Sequence, residues 1–449
     1  MPRSSMKRRS TRELQGETDL KRILLYLPLL MLSFGAATSV AATAPSTQTS
    51  STPFDLRVAQ IVAVLNDTMP IADYFTPSFL AAVPPAQLKA IITSLHVQYG
   101  KAIKVTAVER KGPNSATLTV EMERAIATID ITVEAAAPNK VAGLLATGFA
   151  VKGDDIAKIS ADFNALPGRT GFLVQKLDGS AASAKLDDGE QFAVGSTFKL
   201  YILAELASQI EAGQRKWSDV VPLDVRAYSS SATQDWPRGT PVTLQTLATW
   251  MISVSDNAAT DELIRVLGRD AVEKKLATIG HNAPDKALPL LTTVEALALK
   301  SNSALRSRFQ KATEAQQRDI LEAQAVALAY DKIDLSQLGS GPAAIDTIEW
   351  FASPNDIALA MNHLRRIDSK TALDIMAVNT GIAPASAAKW QYLGYKGGSE
   401  PGVIAMNFLA QSKAGDWYAI SGAWNNSVKE VDSAAFAALM TRLLDNVAN

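Results

Sequence analysis

The segment "VGSTFKLYIL" (194–203) places a serine and a lysine three residues apart at the start of an apolar run. Residues three apart on a helix lie on nearly the same face, about 4.5 Å along its axis. A lysine buried among apolar neighbours has a lowered pKa and can act as the base for a serine nucleophile. Ser196 and Lys199 are therefore a candidate nucleophile and base. The spacing alone is a weak signal, because Ser4 and Lys7 share it and a surface lysine reaching out of a core helix is the competing interpretation.

Two later segments strengthen the chemical interpretation. "SVSDNAATDELI" places Ser255, Asp256 and Asn257 at a predicted break between helices, and "YKGGSEPGV" places Lys396, two glycines and Ser399 ahead of a predicted strand. Ser-x-x-Lys, Ser-Asp-Asn and Lys-x-Gly in this order resemble the motif set of class A β-lactamases and penicillin-binding proteins. Asp256 is expected to be a buried structural carboxylate.

The resemblance extends from about residue 168 to the C-terminus. It implies a serine hydrolase that forms an acyl-enzyme on Ser196, with Lys199 as activating base and Ser255 as proton relay. The implied substrate-binding residues are Asn257, Lys396, Gly397, Gly398 and Ser399. The implied oxyanion hole consists of the backbone N–H groups of Ser196 and Ser399, and loss of one such donor typically lowers the rate by about 10²–10³.

One part of the class A machinery is missing from its usual place. Class A β-lactamases carry a glutamate in a long loop between the second and third motifs, where it activates the water that releases the acyl group. The chain from Gly280 to Thr292 leaves little room for such a loop. Glu400, beside the third motif, is the candidate replacement, with a turn or salt-bridge role as the alternative. Glu295 is expected at an exposed helix position.

The segments "LPLLTTVEALALK" and "EWFASPNDIALAMNHL" resemble a narrower group. These are the two-domain β-lactamase-like proteins encoded with clavulanic acid biosynthesis in actinomycetes, and related exported mycobacterial proteins. They pair a steroid-isomerase-like α+β domain with the serine domain. Residues 54–150 of this chain likewise show helical segments followed by four alternating strands. Residues 158–449 are then expected to form a β-lactamase/transpeptidase-like domain, an antiparallel sheet covered by helices, so that the fold class is α+β.

Residues 1–44 have the pattern of a secretory signal peptide. They combine a basic start, an apolar stretch broken by Pro28 and Gly35, and small residues at the exit. Residues 45–53 are rich in Ser, Thr and Pro, which is typical of a flexible linker. We therefore expect a periplasmic or secreted protein that has no membrane association after cleavage. An uncleaved membrane anchor is the alternative.

Composition limits the remaining possibilities. The chain has no cysteine and only three scattered histidines, so neither a thiol nucleophile nor a metal or other cofactor is expected. Without residues 1–44 it keeps 37 of 44 Lys/Arg and 42 of 45 Asp/Glu, a formal net charge of −5, which predicts no nucleic-acid partner. The expected partner is a small molecule: a β-lactam, an ester or a peptidoglycan-like amide. The alternatives are a cell-wall D,D-peptidase and a binding protein that stays acylated.

Overall fold

A computed structural model describes residues 52–228, 232–367 and 369–448, all within one compact unit. The predicted signal peptide and nearly all of the predicted linker lie outside the described residues. In the described ranges, no helix combines the length and the apolar character that a membrane span requires. Export of the chain stays a prediction.

The N-terminal part consists of four helices followed by four strands. The helices are α1 (Pro53–Leu65), α2 (Ile71–Tyr74), α3 (Pro77–Ala82) and α4 (Pro85–Tyr99), and the strands are β1 (Ala102–Gly112), β2 (Ser115–Met122), β3 (Ala125–Val133) and β4 (Val141–Val151). The strands form an antiparallel meander in sequence order. Alternate residues of β2 and β3 are buried and enclose a core with α1 and α4. The likeness of this part to steroid isomerases stays a prediction.

The second part is built on an antiparallel sheet. Its strands are β5 (Arg169–Lys176), β6 (Ala184–Leu186), β7 (Phe192–Ala193), β8 (Val220–Leu223), β9 (Thr240–Thr243), β10 (Phe351–Ala352), β11 (Tyr392–Glu400), β12 (Val403–Gln411) and β13 (Trp417–Asn425). Five of them pair in the order β11-β12-β13-β5-β6. The third motif lies inside β11, which pairs with β12 along its whole length, and not ahead of a strand as predicted. The mixture of helices and sheet confirms the α+β class.

Helices cover both faces of this sheet. They are α5 (Ile156–Asn164), α6 (Lys199–Glu211), α7 (Leu244–Ser253), α8 (Asn257–Leu267), α9 (Arg269–Ile279), α10 (Thr293–Ser301), α11 (Ser303–Gln310), α12 (Glu314–Ala323), α13 (Pro354–Arg366), α14 (Lys370–Ala377), α15 (Pro384–Ala387) and α16 (Ser433–Ala448). One core contains α6, α7, α8 and α13, and a second core on the opposite face contains α5 and α16. Helix α6 is buried from Lys199 to Ala207, so its N-terminal residues are held firmly by packing.

The segment between α10 and α13 departs from the sequence-based expectation. The pattern predicts mostly helix for residues 301–348, but helices α11 and α12 end at Ala323. Beyond them the chain forms only single 3-10 turns at Tyr330–Lys332 and Leu335–Gln337. The run "LGSGP" explains part of the difference, because glycine and proline are the weakest helix formers. The prediction is wrong for the second half of this segment.

Candidate active site

The candidate nucleophile lies on a single 3-10 turn, Gly195–Phe198, that leads directly into α6. Gly195 has a φ of +48°, a conformation that glycine tolerates because it has no Cβ. Ser196 is partly exposed, whereas the residues on either side of it are buried. Its hydroxyl has no hydrogen-bond partner among the described residues. The turn therefore leaves Ser196 accessible at the start of a buried helix.

Lys199 is the first residue of α6 and is completely buried. Its Nζ lies within hydrogen-bond distance of the carbonyl oxygen of Ser255 (2.7 Å), the Ser255 hydroxyl (3.2 Å) and Asn257 Oδ1 (2.6 Å). The amine therefore lies among neutral oxygen atoms of the second motif. No hydrogen bond joins Lys199 to Ser196 in the structure, since these three oxygen atoms hold the amine.

Burial changes the protonation of both lysines in the site. Burial lowers the pKa of Lys199 well below its ordinary value, and the charge of Lys396 lowers it further, against smaller opposing effects of Asp261 and Asp256. Burial also lowers the pKa of Lys396 to about 7. A neutral amine has a lone pair that can accept a proton. The lowered pKa favours Lys199 as a base, while Lys396 is only partly charged at neutral pH.

Ser255 lies between these two lysines, in the break between α7 and α8. Its Oγ is 3.2 Å from Lys199 Nζ and 3.0 Å from Lys396 Nζ. Its φ of +60° is in the left-handed region, where a residue with a Cβ carries strain of about 1–3 kcal/mol. Such a conformation persists only where the surroundings fix it. The Ser255 hydroxyl thus completes a hydrogen-bonded path from one amine to the other.

The two candidate oxyanion donors are close together because glycines line the contact between their segments. A Cβ at Gly195 would lie 3.1 Å from the Ser399 nitrogen. A Cβ at Gly398 would lie 2.5 Å from the Ser196 nitrogen and 2.1 Å from the Val194 carbonyl oxygen. Any larger residue at position 398 would push the nucleophile turn away from β11. The structure therefore brings the Ser196 and Ser399 backbones together, as the oxyanion-hole hypothesis requires.

The rest of the third motif is packed tightly within β11. Lys396 is 3% exposed, and its Nζ donates to the carbonyl oxygen of Gly397 at 2.6 Å. A Cβ at Gly397 would lie 2.1 Å from the Tyr395 hydroxyl. The first glycine of the motif is thus required by packing within the strand.

The remaining second-motif residues have distinct positions. Asp256 is fully buried, and its carboxylate accepts from the N–H and hydroxyl groups of Thr233 and from the N–H of Ala259 at the start of α8. These contacts agree with the structural role expected for Asp256. Asn257 donates from Nδ2 to the Tyr228 carbonyl oxygen at 2.9 Å, while its Oδ1 holds Lys199.

Sequence reasoning missed a buried polar network behind the site. Asn407 Nδ2 donates to Thr197 Oγ1 and to the Lys396 carbonyl oxygen, each at 3.0 Å, and Asn407 Oδ1 accepts from Ser421 Oγ at 2.6 Å. Asn407 is buried, with only 1% of the residue exposed. The network ties the nucleophile turn to β11. Its one sequence signal is an asparagine inside the apolar run "VIAMNFLA".

Glu400, the candidate base for water activation, and Glu295 are both held by cations. Glu400 accepts from Lys300 Nζ at 2.5 and 2.7 Å, and burial together with the neighbouring Glu349 carboxylate raises the pKa of Glu400 to about 9. Glu295 is not exposed as expected: its side chain is 16% exposed and pairs with Arg269 at 2.7 Å. Neither group is an unpaired carboxylate at neutral pH.

Comparison with known proteins identifies the fold of this part of the chain. Residues 154–377 match the Beta-lactamase enzyme family. The match covers just under half of the 449 residues and includes Ser196 and Ser255, but it ends before Lys396. It confirms a β-lactamase-like serine hydrolase fold. No sequence among the curated proteins matches the chain.

Several solved structures are similar at low sequence identity. The β-lactamase of Sphaerobacter thermophilus is 20% identical, with 64% of this chain and 94% of that chain covered and a TM-score of 0.45. An ancestral class A β-lactamase, GNCA, is 16% identical over 65% of this chain and 98% of that chain, with a TM-score of 0.47. PBP-A is 16% identical over 65% and 94%, with a TM-score of 0.46. At these values the fold assignment rests on the family match.

Proposed function

We propose that this chain is an exported serine hydrolase of the class A β-lactamase-like type, which forms an acyl-enzyme on Ser196 and hydrolyses a β-lactam amide or an ester. The proposal rests above all on Lys199, a completely buried amine among neutral oxygen atoms, three residues from Ser196 and beside Ser255. A lysine in such surroundings gives up its proton and acts as a base. Its burial also removes the alternative of a surface lysine.

Acylation follows from the positions of four groups. The Ser196 oxygen attacks the substrate carbonyl carbon while its proton passes to the neutral amine of Lys199. The developing oxyanion accepts hydrogen bonds from the Ser196 and Ser399 N–H groups, each typically worth about 10²–10³ in rate. The proton then passes through Ser255 to the leaving nitrogen of a β-lactam, or to the leaving oxygen of an ester. The bond from that atom to the carbonyl carbon breaks, and an ester of Ser196 remains.

Lys396 favours a substrate that carries a carboxylate near the reacting carbonyl. Its Nζ is 3.0 Å from Ser255 Oγ, so a substrate carboxylate beside the leaving group would approach it. A substrate carboxylate next to Lys396 would raise the pKa of the Lys396 amine and keep the amine charged. β-Lactams and peptidoglycan-like amides have such a carboxylate. The narrower resemblance to the proteins of clavulanic acid biosynthesis implies esterase-like or weak β-lactamase activity.

The N-terminal part enters the proposal as a packing or substrate-shaping module. We place a steroid-isomerase-like domain at residues 54–150 and the hydrolase domain at residues 158–449. The separate hydrophobic cores of the two parts support this division. All the residues to which the proposal assigns a chemical step lie in the second part.

Release of a bulky acyl group should be slow. A water on the acyl carbonyl needs a base, which typically contributes about 10²–10⁴-fold. Glu400 is bound to Lys300 and, with a pKa of about 9, is protonated at neutral pH. Glu295 is paired with Arg269. Lys199 remains as the base for small acyl groups that leave the carbonyl open to water.

Transient kinetics test this proposal. We expect a penicillin to give a burst of about one equivalent per protein followed by slow turnover, and short activated esters to be turned over continuously. Ser196→Ala should lose both signals. Ser253→Ala is the matched control, because the Ser253 hydroxyl donates to its own helix at Thr249. Rapid steady-state hydrolysis of penicillin without an acyl-enzyme would contradict the proposed slow release.

The paired state of Glu400 and Glu295 also favours a second candidate, a β-lactam or muropeptide-binding protein that stays acylated. This candidate predicts one equivalent of product with esters as well as with penicillins. A D,D-peptidase would instead release the terminal residue of a cell-wall stem peptide. The same assay with such a peptide as substrate separates the three activities.

A further inference from the structure

A buried lysine joins the two segments that carry the oxyanion donors. Lys300 lies on α10, and 5% of its side chain is exposed. Its Nζ is 2.6 Å from Glu349 Oε1, and it is 2.5 and 2.7 Å from the two carboxyl oxygens of Glu400. One amine therefore bridges carboxyl groups from two chain segments that are 51 residues apart.

On one side, the bridge holds the end of the strand that carries Ser399. Glu400 is the next residue and the last of β11, opposite Val403 in the ladder with β12. In the described sheet β11 is an edge strand. One side of β11 pairs with β12, and its other side pairs with no strand of that sheet. Lys300 therefore anchors the end of β11 directly after the Ser399 N–H group.

On the other side, the bridge holds the turn that carries Ser196. Glu349 precedes Trp350, whose carbonyl oxygen accepts the N–H of Val194 at 2.9 Å. The Trp350 indole stacks on Phe198 with ring centroids 4.1 Å apart and the planes 1° from parallel. Trp350 therefore contacts the nucleophile turn at both of its ends, and Glu349, the residue before it, links Trp350 to Lys300.

An oxyanion hole works only when its two donors have a fixed separation. Each donor must lie about 2.7–3.1 Å from the developing oxyanion, and a misplacement of about 1 Å can lower the rate by about 10²-fold. The direct contact between the two segments is made by Gly195 and Gly398, which have no side chains to fix the distance. Groups behind the contact therefore help to fix the distance: the Asn407 network ties the turn to the middle of β11, and the Lys300 bridge ties it to the end of β11.

We propose that Lys300 is a positioning residue that holds the Ser196 and Ser399 N–H groups at the separation that a tetrahedral oxyanion requires. The inference rests on the proposed acyl-transfer function, since only such a reaction uses both donors. Lys300 does not act on the substrate, because its buried amine donates to Glu349 and Glu400. Burial opposes its charge, but the two carboxyl groups outweigh burial and hold the pKa of Lys300 above its ordinary value.

The first test is Lys300→Met, with the acylation rate constant and the substrate dissociation constant measured separately for a penicillin. We expect acylation to fall by about 10–100-fold and the dissociation constant to change by less than about threefold. Lys275→Met is the matched control. Lys275 is also a mostly buried lysine, 3.3 Å from the Glu205 carboxylate and 14% exposed, on α9. We expect the control to keep wild-type acylation.

The second readout is the affinity for a simple arylboronic acid. A boronic acid adds to the serine oxygen and forms a tetrahedral anion, so its affinity reports the oxyanion hole without a leaving group. In Lys300→Met we expect its inhibition constant to rise by about the factor by which acylation falls. A purely stabilising role for Lys300 would lower thermal stability and leave the boronate affinity of the folded protein unchanged.

Lys300→Met leaves two buried carboxyl groups without their cation, so Glu400→Ala is a second and milder variant. The Glu400 side chain is 25% exposed, and its removal cuts one end of the bridge. We expect acylation and boronate affinity to fall by about 10-fold. If Glu400 were instead the deacylation base, acylation would be unchanged and only acyl release would slow.

The outcomes separate this inference from the proposed function. Wild-type acylation and boronate affinity in both variants, with a normally acylated wild-type protein, would overturn the role of Lys300 and leave the proposed function intact. A wild-type protein that forms no adduct at Ser196 would overturn the proposed function and the inference with it. Parallel losses of acylation and boronate affinity in both variants would support the inference.

Discussion

Lys199 and Lys300 are both buried, yet their surroundings give them opposite chemistry. Lys199 contacts neutral oxygen atoms of Ser255 and Asn257, and its pKa is lowered well below the ordinary value by burial and by Lys396. Lys300 contacts two carboxyl groups, and its pKa is raised despite burial. The comparison shows that burial alone does not decide whether a lysine is a base or a structural cation. The groups in contact with the amine decide it.

The same substitution at both lysines gives the largest expected difference. Lys199→Met should lower acylation by about 10²–10⁴-fold, because the base is lost. It should not lower the free energy of unfolding much, since no buried charge loses its partner. Lys300→Met should lower acylation less, but it should lower the free energy of unfolding by about 3–5 kcal/mol, because it strips a buried ion pair of its cation.

Stopped-flow acylation and urea denaturation of the two variants check this comparison. A large loss of stability in Lys199→Met, with nearly normal acylation, would reverse the roles assigned to the two lysines. Lys199→Arg adds a second check, because arginine is always charged and cannot act as a base. It should acylate as poorly as Lys199→Met.

A second prediction concerns the pH dependence of kcat/KM. Acylation should rise with pH as Lys199 loses its proton. For substrates with a carboxylate, kcat/KM should fall again above about pH 7, because Lys396 loses its charge there. The fall should be up to about tenfold per pH unit. An uncharged short ester should show the rising limb alone, since it does not use the Lys396 charge. Identical profiles for the two kinds of substrate would show that Lys396 does not bind the carboxylate.

A third and smaller effect is the pH dependence of stability. The pKa of Glu400 is raised to about 9, so between about pH 5 and 9 the folded protein binds a proton that the unfolded chain does not, and stability falls as pH rises. The lowered pKa of Lys199 has the opposite effect on stability. The unfolded chain binds the extra proton, so stability rises with pH.

We therefore expect Glu400→Gln to reduce the fall in stability with rising pH, and Lys199→Met to reduce the rise, to which Lys396 also contributes above about pH 7. Urea denaturation at several pH values between about 5 and 9 measures both slopes. If Glu400→Gln keeps the wild-type pH dependence, the pKa of Glu400 is not raised as stated. A matched substitution at exposed Glu190, whose side chain is 66% exposed, is the control.

The parts of the fold and site that local sequence determines were predictable. The apolar period of α6, the break before α8 and the ordered motifs indicated Ser196, Lys199 and Ser255 as one site, and the structure brings Lys199 and Ser255 into contact. The exact partner of Lys199 was not predictable, because it depends on how the left-handed Ser255 presents its carbonyl oxygen. The strand position of Lys396 was missed because glycines weaken the strand signal of "YKGGSE".

Contacts between distant segments account for the rest. Nothing near Lys300 in the sequence indicates Glu349 or Glu400, which reach it only after the sheet and the helical segment have packed together. Asn407 is likewise explained only by Thr197 and Ser421, which come from other elements. A buried polar residue in an apolar run indicates that a partner exists, but its identity depends on the tertiary fold.

The central claim is that Ser196 becomes acylated, and intact-mass spectrometry with peptide mapping tests it most directly. The wild-type protein is incubated with a penicillin, quenched, weighed and digested, beside Ser196→Ala and the Ser253→Ala control. We predict one added penicillin per wild-type and control chain, located on the peptide that contains Ser196, and none on Ser196→Ala. An adduct that persists in Ser196→Ala, or that maps to another residue in the wild-type protein, would contradict the account.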